Sequence, residues 1–255
     1  MTGQGFKRQF AATLSLGLAP VALPQGLWLN RHAQRLPEAP GERSGQHPGT
    51  EPALRLLAVG ESPLAGVGLD NPRSTVACAL AGRLSQATQR ASRWRILAKG
   101  GVTARALRDR LLPGLETAPA DLILIGLGVN DSIRLRSATR WQRDLEQLIK
   151  ALRAHTGPAP VLLAGVPDMH HFPALPRPLK TLLGSRSRLL DHATRQLAAR
   201  LPGAIYVPLG LDARSHELFC DDGFHPNARG HALWAEQLTP MALHLLGLQT
   251  GDDPD

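Results

Sequence analysis

Over most of the chain, short apolar runs alternate with longer stretches in which apolar residues recur every three or four positions. Leu54–Val59, Trp94–Ala98, Asp121–Leu127, Pro160–Val166 and Ile205–Leu209 are almost continuously apolar, as strands covered on both faces are. Between them, Ala138–His155 repeats Trp141, Leu145, Leu148, Ile149 and Leu152 at helical spacing, so one face of an amphipathic helix is expected there. Weaker helical patterns occupy Ser74–Arg90, Thr103–Leu111, Leu179–Leu201 and Ala228–Leu246. This alternation predicts an α/β fold, a three-layer α/β/α sandwich around a five-stranded parallel sheet. Functional groups in such sheets gather at the carboxyl ends of the strands.

The ends of the chain read differently. Lys7 and Arg8 precede the uncharged stretch Phe10–Leu29, and Arg31 and Arg35 follow it. A basic start before an apolar run is the order of a secretory signal or an uncleaved anchor, and about 20 residues suffice to span a bilayer. Against this, Pro20 and Pro24 interrupt helical hydrogen bonding, and no small-x-small cleavage site follows. A peripheral or simply packed segment is the competing reading. The expected organisation is an apolar N-terminal segment at 1–30, a Pro/Gly-rich linker at 31–52, a catalytic-looking domain at 53–248 and a polar tail at 249–255. The linker rests on Pro37, Pro40, Gly41, Gly45, Pro48, Gly49 and Pro52, with little apolar material to pack. A cell-envelope location, periplasmic or membrane-associated, is favoured over a cytoplasmic one, with residues 10–29 as the membrane contact.

Composition changes this picture little. The 255 residues are 43% hydrophobic and 20% charged, ordinary for a globular protein. The net charge of +8 invites a nucleic-acid reading, yet only four of the 29 basic residues are lysine, the arginines are scattered and aromatics are 4%. Neither a phosphate track nor a stacking platform is visible, so no nucleic-acid partner is expected. Cys78 and Cys220 make no disulfide framework and no zinc motif, and a bridge between them is left open.

Four segments at predicted strand ends carry chemistry. Gly60-Glu61-Ser62, followed by Pro63-Leu64-Ala65-Gly66, ends the first strand and places a serine hydroxyl where it can face a cleft. The Gly-x-Ser-x-Gly elbow is missing, because Leu64 stands at its second glycine. Gly100-Gly101 at the second strand end can present a backbone N–H to an anion. Asn130, in Gly128-Val129-Asn130-Asp131, offers a neutral carboxamide donor for a developing oxyanion. Asp222 and His225, three residues apart before the last helix, can pair as orienter and base. Each segment alone also fits ordinary turn chemistry.

Taken in order, Ser62, Gly101, Asn130 and Asp222/His225 resemble the SGNH hydrolase, or GDSL esterase/lipase, superfamily over Leu54 to Leu246. The lettered serine, glycine, asparagine and histidine of that family match Ser62, Gly101, Asn130 and His225, and the acid of its Asp-x-x-His motif matches Asp222. Two positions depart from the pattern. Glu61 replaces the usual aspartate of the first block, and Val102 stands where a polar residue often follows the second-block glycine.

The resemblance implies a flavodoxin-like sheet and a serine esterase or lipase that cleaves carboxylic esters through an acyl-serine intermediate. Ser62, Asp222 and His225 would be catalytic, and the N–H groups of Ser62 and Gly101 with the Asn130 carboxamide would form the oxyanion hole. No metal or cofactor is implied, and the partner is a small-molecule or lipid ester. An acyltransferase or thioesterase on the same scaffold is the alternative, and a non-catalytic flavodoxin-like binding module the distant one. The segment Pro167–Pro176, with His170 and His171, reads as a pocket wall or lid rather than a metal site, since adjacent histidines rarely aim at one ion. Acyl chain length and oligomeric state are not legible.

Overall fold

The computed structural model describes residues 3–32, 35–211 and 215–248, and the polar tail at 249–255 lies outside the described residues. Six strands form one sheet: β1 (Ser44–His47), β2 (Thr50–Gly60), β3 (Arg90–Ala98), β4 (Leu122–Gly126), β5 (Val161–Ala164) and β6 (Ala204–Val207), in the order β1-β3-β2-β4-β5-β6. β2 to β6 are the five expected parallel strands, in flavodoxin-like order. The five-strand expectation misses β1, an edge strand antiparallel to β3. Its sequence, Ser-Gly-Gln-His, carries no apolar signal, and Gly45 is placed where any side chain would collide with the Trp94 ring.

β1 also corrects the linker at 31–52. That stretch lies against the domain: the Arg43 carbonyl accepts from Ile96 N–H at 2.8 Å, and the Pro37 carbonyl accepts from Gly68 N–H at 2.9 Å.

Both faces of the sheet are covered. Leu54, Leu56, Ala58, Leu122 and Leu124 pack with α3 (Val76–Thr88) and α8 (Ala228–Leu245). Leu57, Val59, Ile123 and Ile125 pack on the other face with α6 (Ala138–Thr156) and α7 (Leu179–Arg200). The apolar stripe of α6 is buried as its spacing requires, and Ser137 caps that helix by accepting from Arg140 N–H. The helix expected at Thr103–Leu111 is instead three α-helical residues, α4 (Ala104–Ala106), followed by a wider π turn at Leu107–Leu111. A short helix, α5 (Val129–Ile133), follows β4.

At the N-terminus, α1 (Gly3–Leu14) runs through a 3-10 turn (Ser15–Leu18) into α2 (Ala19–His32) with helical backbone at both joints. The prolines do not end this helix. Pro20 stands in the first turn of α2, just after the 3-10 turn, and Pro24 lies inside the helix. α1 and α2 both lie against α7.

Burial of this kind sets the stability. Leu124→Ala, in the centre of the sheet, is expected to cost about 2–5 kcal/mol in urea unfolding, whereas exposed Gln46→Ala on β1 should change it by about 0.5 kcal/mol or less.

Candidate active site

The crossover that takes the chain from β2 out to β3 and back to β4 opens a crevice at the carboxyl ends of β2 and β4, the usual ligand position in such sheets. Ser62 is the second residue beyond β2. Close approach of the strands keeps side chains out of the way here, since a Cβ on Gly60 would meet the Gly126 carbonyl. The chain then turns tightly, with Ala65 N–H on the Glu61 carbonyl at 3.0 Å and Val67 N–H on that of Ser62 at 3.0 Å.

Asp222 and His225 share one loop. Asp222 Oδ1 accepts the N–H groups of Phe224 (2.9 Å) and His225 (3.0 Å), while Oδ2 takes the His225 ring Nδ1 at 2.6 Å. Burial opposes the Asp222 charge, but these donors prevail and hold the carboxyl below its ordinary value. The pairing commits Nδ1 to Asp222 and leaves Nε2 as the ring nitrogen available for a proton. Phe224 stacks edge-on against the His225 ring and against Phe172.

Ser62 and His225 line one cavity. Its other walls are mostly apolar: Pro63, Leu127, Val129, Pro167, Phe172, Leu209, Leu211, Phe219, Phe224, Pro226 and Trp234. The segment after β5 does border it, through Pro167, Asp168, His171 and Phe172. His170 and His171 both turn to Asp168, which also binds Arg188 at 2.8 Å. No group of three or more His, Cys, Asp or Glu suited to a metal ion occurs among the described residues. Cys78 and Cys220 are both free thiols.

Gly101 and Asn130 are not among the residues lining the cavity. Gly101 occupies an exposed left-handed turn (φ +76°) with open space on its Cβ side. Asn130 is joined to Ser62 through the intervening carboxylate: Glu61 is buried and accepts the N–H groups of Val129 (2.8 Å) and Asn130 (2.9 Å) and the Asn130 side-chain amide. Burial pushes the Glu61 carboxyl up to about 7 in spite of these donors, and the Asp131 charge adds to the shift.

Two further acids that sequence reasoning missed hold the neighbouring loop. Asp131, buried, accepts Ala104 N–H at 3.1 Å. Glu38 accepts Gly100 N–H at 2.7 Å and pairs with Arg43, which also donates to the Ala98 carbonyl. The only signal for Glu38 was a Leu-Pro-Glu-Ala stretch set in Pro/Gly-rich sequence.

Comparison with known proteins gives the family and the fold. The GDSL-like Lipase/Acylhydrolase family model matches residues 58–233. The chain belongs to that family. It is 27% identical over 192 residues to a GDSL-like esterase of Mycobacterium tuberculosis, covering 72% of this chain and 60% of that protein's length. Similar solved structures include a carbohydrate esterase family 2 enzyme of Corynascus thermopiles (TM-score 0.60, 19% identity, 79% of this chain and 68% of that one). Another is the psychrotrophic esterase EstA of Pseudoalteromonas (TM-score 0.57, 21% identity, 76% and 98%). At these identities the structures establish a shared SGNH hydrolase fold.

Glu61 also sets a pH dependence. Its folded value lies above the unfolded carboxyl value of 4.5, so its contribution to stability is complete below that value and is lost as pH rises through about 7. Glu61→Gln, neutral at every pH, is expected to lower stability overall but to flatten the decline between pH 4.5 and 7, a difference of up to about 3 kcal/mol by urea titration at each pH.

Proposed function

We propose that the protein is a serine esterase that hydrolyses carboxylic esters through an acyl-Ser62 intermediate. The observation that carries the reading is the Asp222–His225 pair at 2.6 Å on the wall of the cavity that Ser62 also lines. Ser62 Oγ attacks the ester carbonyl carbon while His225 Nε2 takes the hydroxyl proton. The tetrahedral intermediate collapses with cleavage of the carbonyl–alkoxy bond, and His225 returns the proton to the leaving alcohol. A water molecule, deprotonated by His225, then attacks the acyl carbon and frees the acid and Ser62. Asp222 keeps Nδ1 protonated and stabilises the imidazolium. The N–H groups of Ser62 and Gly101 and the Asn130 carboxamide are the oxyanion donors of this reading, aligned by the clamps from Glu38 and Glu61.

The apolar walls favour an apolar acyl chain over a small polar one. Residues 53–248 are the catalytic unit in this reading, with 35–43 strapped across its loops. The apolar N-terminal helix supports a cell-envelope location.

A chain-length series of chromogenic acyl esters, with fluorophosphonate labelling, tests the assignment. Ser62→Ala is expected to lose labelling and about 10⁴-fold or more in kcat, Asp222→Asn about 10⁴-fold and Asn130→Ala about 10²–10³-fold. Labelling that persists in Ser62→Ala refutes the nucleophile. Free acid as the dominant product in the presence of an acceptor alcohol separates hydrolase from acyltransferase.

A further inference from the structure

The N-terminal helix is built inside out. Toward the protein it turns small residues: Ala12, Ser15 and Ala22 are buried, and Gly26 lies against Leu179 of α7. Outward it turns large apolar ones, with Phe10 61%, Leu14 70%, Val21 59%, Leu27 61% and Trp28 60% exposed. A surface helix in water has the reverse arrangement. Small residues inward and large apolar residues outward suit a helix that packs on protein and faces lipid.

Three observations identify what covers this face. No charged residue occurs between Gln9 and Leu29, and the run Gln9–Leu29 is apolar enough to enter a membrane. Lys7, Arg8, Arg31 and Arg35 bracket it, and no acidic residue precedes Glu38, so its ends complement an anionic surface. The helix also lies near the cavity, because Ala22 on its inward side shares an apolar cluster with the cavity residues Val129 and Phe172. α7, on which the helix lies, exposes Arg188, Arg195 and Arg200. A bilayer spanned by the docked helix would have to take in those charges, which hydrocarbon strongly opposes.

We propose that the docked N-terminal helix lies in the plane of an anionic lipid bilayer surface, with Leu14, Val21, Leu27 and Trp28 among the acyl chains and the α/β domain in water. This does not depend on the esterase reading.

Trp28 provides the readout, since the other three tryptophans, Trp94, Trp141 and Trp234, are buried. The full chain mixed with phosphatidylglycerol vesicles is expected to float with them, to shift its tryptophan emission to the blue, and to be quenched more by lipids brominated near the headgroup than near the chain end. Phosphatidylcholine vesicles should bind it more weakly. Trp28→Phe should abolish the spectral shift, and Leu14→Gln with Leu27→Gln should weaken binding about tenfold or more at unchanged far-UV circular dichroism and Tm. Ser62→Ala should float as the parent does, which separates membrane binding from turnover. Failure to float overturns the proposal. So does strongest quenching at the bilayer centre, the mark of a spanning helix, or a concentration-dependent dimer that no longer binds vesicles, the mark of a second copy on this face.

Discussion

The loops at the carboxyl edge of the sheet are held to one another by carboxylates that accept backbone N–H groups across chain breaks in the pattern of strands and helices. Glu61, at the end of β2, binds the first turn of α5. Asp131, in α5, binds the start of α4. Glu38, from the strap before β1, binds Gly100 beyond β3. A parallel sheet fixes strand spacing but does not by itself pair its connecting loops, so these carboxylates, with a few main-chain bonds such as Gly68 to Pro37, set their relative positions. Hydrogen bonds to a charged acceptor are about twice as strong as neutral ones, and the interior enlarges both their strength and the cost of losing a partner.

That arrangement explains why Asp222 and Glu61, two carboxylates near the same cavity, take opposite protonation tendencies. Asp222 accepts two main-chain N–H groups and an imidazole N–H, and the ring can itself carry positive charge. Glu61 has as many donors, but all are neutral amides, it is fully enclosed, and Asp131 lies close by. With donors equal in number, the depth of burial decides: Glu61 is enclosed and Asp222 only partly so, and the nearby charges, His225 for one and Asp131 for the other, add to the difference. Asp222 therefore stays ionised beside His225, and the buried Glu61 gains a proton as pH falls through the neutral range.

Much of this was legible in the sequence, for identifiable reasons. β4, β5 and the second half of β2 are buried on both faces and so nearly uniform in hydrophobicity, and α6 buries a regular stripe. β1 was not legible because an edge strand of Ser-Gly-Gln-His buries little and is held by main-chain pairing that leaves no mark on composition. Asp222 and His225 are close in sequence, so their contact follows from spacing. Glu38 and Gly100 are 62 positions apart, and only the folded chain brings them together. The N-terminal segment displayed its apolarity but not which residues face the protein, since the inward stripe of small residues is defined by α7.

Glu61 also bears on the departure from the family's aspartate. Its side chain, one methylene longer, reaches from the end of β2 to two successive N–H groups of α5 and still meets the Asn130 side chain. When Glu61 is ionised it can only accept, so the Asn130 atom facing it is then the amide nitrogen, and a flipped carboxamide would set oxygen against oxygen. One amide hydrogen is held by Glu61 and the second is left without that tie. In the proposed mechanism, where Asn130 is an oxyanion donor, this is the useful state, because a donor oriented before the charge develops costs no reorganisation when it does. The longer acid thus keeps an anchor on the α5 backbone that also fixes which end of Asn130 points where.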